Sequence, residues 1–277
     1  MKAKIQKPVA TTLLHFTMIV AALMTTLPFI WMLGASFMQP GEASEFPPKL
    51  IPASATLQHY LKLFQSMNLG RFFLNSFLLA TSVTLISLIV NSMAGFAFAK
   101  FSFKGKKPLF ALLLTSMIIP AQVTMLPVFL LLNKIGLLNT YWGVILPSMA
   151  SIFGIFLFRQ YLTSISDSLL EAAHIDGASD FYIYWRIILP LSAPILVTLA
   201  LFTFMGTWND FLWPLIVMSD ESMYTLPVAL ANLSKEFIVE PEMMMAGSVI
   251  TILPVLALFL VLQKYYIRGI LLGGVKE

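Results

Sequence analysis

Charged side chains cut this chain into six apolar runs, and nothing else in it limits the possible folds as tightly. The runs lie between Lys7 and Glu42, Arg71 and Lys100, Lys107 and Lys134, Lys134 and Arg159, Arg186 and Asp210, and Glu242 and Lys264. At about 1.5 Å of rise per residue, each is long enough to cross a hydrocarbon layer roughly 30 Å thick. Within that layer a backbone polar group finds no water, so each run has to close its own hydrogen bonds as a helix. The expectation is an all-α integral membrane protein, a single domain over residues 1–277, with six transmembrane helices near 11–33, 72–99, 108–132, 142–162, 191–213 and 243–263. A polar loop, 164–190, separates the fourth span from the fifth. With 58% of residues hydrophobic, 11% charged and a mean hydropathy of +0.87, the composition is far from that of soluble domains.

The basic residues set the orientation. Lys2, Lys4, Lys7, Lys100, Lys104, Lys106, Lys107, Arg159, Arg186, Lys264, Arg268 and Lys276 fall on one side of such a topology; Lys49, Lys62, Arg71, Lys134 and Lys235 fall on the other. The positive-inside rule then puts both termini in the cytoplasm. The first run follows three lysines, as a signal peptide would, and its apolar length favours a retained anchor. Because the basic residues punctuate the spans and form no face with interleaved aromatics, the net charge of +4 does not indicate nucleic-acid binding. The chain has no cysteine, which excludes disulfides and thiol-based metal sites.

The 164–190 loop reads as two short helices meeting at a bend. Ser168-Leu169-Leu170-Glu171 has the form of a capping box, which starts a helix near Ser168. Gly177 follows about two turns later, where a glycine can take the left-handed conformation that closes a helix, and Ser179 supplies a new N-cap. Ala173 and Gly177, four residues apart, share one face and allow close backbone approach.

Glu171, Ala172, Ala173, Gly177, Ile187, Leu189 and Pro190 together resemble the EAA loop of bacterial ABC-importer permeases, and Ile175-Asp176-Gly177-Ala178 is similar to the carbohydrate, maltose-type branch. Arg71 to Ser76, Ala94 to Gly105, Gly136 to Gly143 with Leu146-Pro147, Gly206 to Pro214 and the tail Gln263 to Gly269 are similar to the same branch. The resemblance implies a type I, maltose-permease-like bundle in the bacterial cytoplasmic membrane. Glu171, Ala172, Ala173, Ile175, Asp176, Gly177 and Ala178 would then form the ATPase-coupling element. The implied partners are a homologous second permease, two ATP-binding cassette subunits, an extracytoplasmic sugar-binding protein and membrane lipid. No G-x-x-x-x-G-K-[ST] occurs, so ATP and Mg belong to the partner subunits, and neither a cofactor nor an enzymatic site is expected on this chain.

Candidate pathway residues are Gln122, Trp208, Asn209 and Asp210. Gln122 lies between Pro120 and Pro127, which should bend the third span and turn it toward the bundle interior; an ordinary interhelical hydrogen bond is the other reading. In Trp208-Asn209-Asp210-Phe211-Leu212-Trp213, an acid and an amide beside indoles suit a sugar's hydroxyls and flat ring, whereas an interfacial aromatic belt would use the same residues. His174 should contact a partner or nothing. The segment from Met38 to Gly70 should be an ordered but irregular cap with little helix before Leu57, serving either as a surface for the binding protein or as a plain connector. Two other functions stay open. An ion-coupled secondary transporter would want several ionisable residues near the midplane. A same-family importer of a phosphate ester such as glycerol phosphate would want Arg or Lys in its cavity.

Overall fold

The computed structural model describes the backbone of residues 3–236 and 240–274, and the side chains of 11–232 and 240–263. All regular structure in these residues is helical. In chain order the helices are α1 (Ala3–Ala35), α2 (Gln58–Ser66), α3 (Leu69–Lys100), α4 (Lys106–Ser116), α5 (Ala121–Lys134), α6 (Tyr141–Ser148), α7 (Ile152–Leu162), α8 (Asp167–Ile175), α9 (Asp180–Ile183), α10 (Leu189–Leu191), α11 (Ala193–Trp208), α12 (Leu212–Val217), α13 (Leu226–Glu236) and α14 (Pro241–Gly274). A π-helical turn, Tyr184–Ile188, joins α9 to α10. Three helices are long and apolar enough to cross a membrane alone, at Thr11–Ala35, Leu69–Lys100 and Pro241–Gln263. Three bent pairs, α4 with α5 (104°), α6 with α7 (40°), and Asp180–Leu191 with α11 (80°), bring the number to as many as six if each pair is one span.

The chain divides into two compact units, Met1–Leu69 with Leu230–Leu253, and Gly70–Ala229 with Pro254–Glu277. In the first, the segment after α1 is irregular apart from one 3-10 turn at Glu42–Ser44 until α2 begins at Gln58. Its order comes from two buried carboxylates. Glu42 accepts from the amides of Ala53 (2.8 Å) and Gln39 (3.1 Å), and Glu242, in the first turn of α14, accepts from the amide of Ala43 (2.8 Å). His59, also buried, donates to the Met38 carbonyl at 2.9 Å. The apolar window of α1 has no buried residue.

In the second unit α3 is the central element. Asn75, Ser76, Thr84, Ser87, Asn91 and Ser92 are all buried along it. Two apolar clusters form around it: Leu79, Val83, Leu132, Val144, Ile145, Trp213, Val217 and Met218 toward its start, and Phe96, Phe158, Leu162, Leu170, Ile183, Tyr184, Ile188 and Leu199 toward its end. Two cations meet the carbonyls at the end of α3, which have no partner within the helix, and a third, on α3 itself, reaches out to the loop before α8. Arg159 Nε donates to Phe98 O (3.2 Å), Lys106 Nζ to Phe101 O (2.7 Å), and Lys100 Nζ to Ile165 O (2.6 Å) just beyond.

Asn91 explains the break in the fourth span. Its Oδ1 accepts from the amide of Ser151 (2.9 Å), the N-cap of α7, and its Nδ2 donates to Ser87 Oγ (2.6 Å). A backbone group freed by the break is thereby satisfied inside the bundle, as an apolar layer requires.

The third span bends, as its prolines imply, but at only one of the two. Pro127 is accommodated within α5, and the chain turns instead at Ser116 to Ala121, where Pro120 is the extended N-cap of α5; a residue preceding proline is itself driven out of the helical region. Only the far part of α5 faces the core, through Leu132 with Met125, Val128 and Phe129 beside it, while Gln122 faces out. α4 has no buried residue and α5 only Leu132.

Candidate functional site

The loop after α7 forms the bend its residues specify, at Gly177, though its first helix is capped two positions early. Ser166, not Ser168, caps α8: its Oγ accepts from the amide of Ser168 (3.3 Å) and lies 2.7 Å from the Ser168 hydroxyl. Ser168 is thus drawn into the first turn beside Asp167, and the predicted capping box gives way to a cap that starts the helix earlier. At the other end Gly177 has φ +84°. The Ala178 amide reaches Ala173 O (2.9 Å) and the Gly177 amide reaches His174 O (2.9 Å). This pair of bonds is a Schellman closure, which satisfies carbonyls that α8 leaves open. Ser179 then caps α9, accepting from the amide of Tyr182 (3.3 Å).

His174 ties the bend from the side. Its Nδ1 donates to Ala178 O (3.2 Å) and its Nε2 lies 3.4 Å from Asp180 Oδ1. Its contacts are therefore within its own loop, on residues whose positions follow from the glycine turn. Ala173, Asp176, Gly177, Ala178, Ser179, Tyr182 and Ile187 line a concavity of about 540 Å³. Ala173 and Ala178 also pack against the Phe96–Tyr184 cluster, so one side of the bend belongs to the core. The other side is open. Glu171, Ala172, Asp176 and Gly177 are exposed, as are Ile175 (86%), Phe181 (67%) and Tyr182 (54%).

The four pathway candidates do not come together. Gln122 is exposed on α5. Trp208 is fully buried, stacked on Phe204 (5.7 Å between centroids) and edge-on to Phe73 (5.5 Å). Trp213 is buried with its indole N–H on Gly143 O (3.1 Å). Both indoles are core residues, which removes the aromatic-belt reading for them. Asn209 is exposed and donates back to Met205 O (2.9 Å). Since α11 stops at Trp208, Asp210 stands past the helix end, where its Oδ1 receives the amide of Trp213 (3.4 Å) and steadies the start of α12.

Asp210 also lines a cavity of about 270 Å³ with Ser87, Ser148, Ser151, Thr203 and Thr207. Five hydroxyls and one carboxylate converge there, and the lining holds no lysine, arginine or histidine. The hydroxyls were missed in the sequence because Ser and Thr are unremarkable in spans, yet a signal existed. Thr203, Thr207 and Asp210 follow each other at four and three residues, one face of a helix. Among the described residues, no group of three or more His, Cys, Asp or Glu could hold a metal ion.

Helical apolar spans, one of them broken opposite a buried asparagine, with a glycine-closed polar elbow between two others, are the architecture of a multi-pass membrane protein. The chain belongs to the family described as binding-protein-dependent transport system inner membrane component, which residues 91–271 match. It is 37% identical over 272 residues to the arabinooligosaccharides transport system permease protein AraQ of Halalkalibacterium halodurans, covering 97% of this chain and 98% of that one. It is 30% identical over 264 residues to the sn-glycerol-3-phosphate transport system permease protein UgpE of Yersinia enterocolitica, covering 92% and 94%. Its fold matches a chain of a bacterial ABC transporter involved in the import of the acidic polysaccharide alginate, with a TM-score of 0.85, 24% identity, and coverage of 94% and 98%. It also matches, with a TM-score of 0.64, 17% identity, and coverage of 92% and 94%, a chain of an alginate transporter in complex with a pentasaccharide-bound periplasmic protein. The chain is thus an inner-membrane permease subunit of an ABC importer.

Proposed function

We propose that this subunit conducts a neutral sugar, a di- or oligosaccharide handed over by an extracytoplasmic binding protein, and that it is driven by ATPase subunits gripping the 171–178 elbow from the cytoplasm. The observation that carries the reading is the elbow itself. A left-handed glycine, small flanking residues and an open concavity sit against the subunit's core on one side and present Ile175, Phe181 and Tyr182 bare on the other. Exposed apolar side chains on an otherwise polar segment mark a protein interface, and a bend with both ends capped can move as one body. The sister permease, the two ATPase subunits with their ATP and Mg, and cytoplasmic termini complete the assembly. Backbone alone is described at the tail beyond Gln263, so the approach of Lys264 to Gly269 toward the ATPases lies outside the described side chains.

The polar cavity beside Asp210 supports a neutral solute. Hydroxyl groups can trade hydrogen bonds with a sugar, while an uncompensated carboxylate repels a phosphate or uronate. This favours an arabinooligosaccharide-like over a glycerol-phosphate-like cargo. The cavity also lacks the multiple ionisable groups of an ion-coupled carrier.

The test joins binding to transport. The native chain should co-purify with its ATPase subunits, and Ala173→Cys should cross-link to an ATPase subunit and not to the binding protein. Asp210→Ala should lower sugar uptake by about tenfold, on the order of 1.4 kcal/mol, with assembly and basal hydrolysis intact. Unchanged uptake kinetics in that variant would remove the cavity from the pathway.

A further inference from the structure

Three stretches of sequence have no role in the function proposed above: those around Asn75, around Tyr141 and before Lys100. The structure gathers them at the two ends of α3. At one end Asn75 Nδ2 donates to the carbonyls of Ser222 (3.0 Å) and Tyr224 (3.0 Å), and its Oδ1 accepts from the Tyr141 hydroxyl (2.8 Å). One residue on, Ser76 Oγ accepts from the amide of Leu226 (2.7 Å). Asn75 is thus buried with every polar group used, and the segment it holds is otherwise a 3-10 turn between α12 and α13. At the other end Lys100 Nζ donates to Ile165 O (2.6 Å) and Asp167 Oδ1 (2.6 Å), in the first turn of α8, and Ser92 Oγ meets the Tyr184 hydroxyl at 2.7 Å. The two grips are roughly 38 Å apart at about 1.5 Å per residue.

We propose that α3 is a strut that carries displacement of the 171–178 elbow to the segment 220–226 at its far end, with Asn75 as the positioning residue that makes the far connection. This rests on the coupling reading of the elbow. An unbroken helix between two hydrogen-bonded ends moves as a rod, whereas the bent third, fourth and fifth spans can flex at their breaks. Asn75 also anchors the 222–226 segment to the start of α6 through Tyr141, so an inward or outward shift of α3 moves both together. Two of its three bonds reach a segment more than a hundred residues away, and the third ties that segment to α6.

The experiment uses the complete importer in proteoliposomes with its binding protein. The chain has no native cysteine, so Leu78→Cys on α3 and Glu221→Cys on the far segment accept a spin-label pair cleanly. With Asn75 intact, their separation should be the same in the nucleotide-free and the ATP-trapped complex, because the segment travels with the helix. Asn75→Leu should make the two separations differ, lower uptake by about tenfold, and leave hydrolysis within about twofold of native. Tyr141→Phe, which keeps both bonds from Asn75 to the segment, should keep the separations equal and uptake within about threefold. Native uptake in Asn75→Leu, or uptake and hydrolysis falling together with the separations still equal, overturns the strut. Failure of the ATPase to co-purify with the native chain overturns the coupling reading and the strut together, an outcome distinct from the first two.

Discussion

Gly177 is the residue on which the elbow turns, and its two possible reasons for being glycine can be separated. A Cβ built there meets nothing within 4 Å, so the constraint inside this chain is the φ of +84° alone. A β-branched residue in that conformation costs on the order of 1–2 kcal/mol. Gly177→Val should therefore still insert and fold, yet abolish uptake, either by releasing the ATPases or by leaving hydrolysis uncoupled; wild-type transport in that variant would sink the coupling reading. Gly154 is the opposite case. A Cβ there would lie 2.6 Å from Asn91 Nδ2, in the middle of the broken fourth span, whereas at Gly206 it would meet nothing. In thermal unfolding of the detergent-solubilised complex, Gly154→Ala should cost about 1–3 kcal/mol and Gly206→Ala close to none. Glu42 supplies the pH dependence. The amides of Ala53 and Gln39, with Lys49 adding to them, hold its carboxyl below the ordinary value of 4.5. A depressed carboxylate stabilises the fold above its unfolded pKa and loses that contribution as pH falls through the lower folded value. Glu42→Gln should thus loosen the cap at neutral pH, seen as faster amide exchange at Ala53, and the difference from native should shrink in acid, disappearing only once the pH has fallen through the lowered folded value. Of these residues only Gly177 was legible in the sequence, because its neighbours spell out a helix end. Glu42, Asn91 and Gly154 draw their meaning from partners distant in the chain.

At the scale of elements, the grip on α8 divides unequally between its two members. Lys100 is 5% exposed and Asp167 77%, so the ion pair is half in water and Asp167→Asn should cost less than about 1 kcal/mol. Lys100→Met leaves the Ile165 carbonyl without its partner as well and should cost about 1–3 kcal/mol; equal melting shifts in the two variants would refute that ordering. The straight helices were legible because a charge-free run of sufficient length admits one structure in lipid. Of the bends, only that of the third span, at Pro120, was legible, for a physical reason. Proline marks where a helix tolerates a break, but in the fourth span the break falls where Asn91 of α3 satisfies the freed backbone. Thus Pro127 stays inside α5 while the fourth span, whose Pro147 lies within α6, parts at Ser151, opposite Asn91.

For the whole molecule the decisive measurement is sidedness. Lys104→Cys and Ser179→Cys should be shielded from impermeant thiol reagents added outside intact cells, and Ser54→Cys should react; outside labelling at position 179 would end the ATPase reading. The class of molecule and the elbow were readable from residue types in order. The cavity beside Asp210 was not, because its hydroxyls come from four separate helical segments that only the fold brings together. Asn75 and Ser76 hold the far segment by its main chain, through the carbonyls of Ser222 and Tyr224 and the amide of Leu226. A hold on peptide groups is indifferent to the side chains it carries. The hold therefore tolerates any letter at the exposed Glu221, whereas Met223 and Tyr224, packed against the Leu79–Trp213 cluster, and the buried Leu226 are fixed by the core as well.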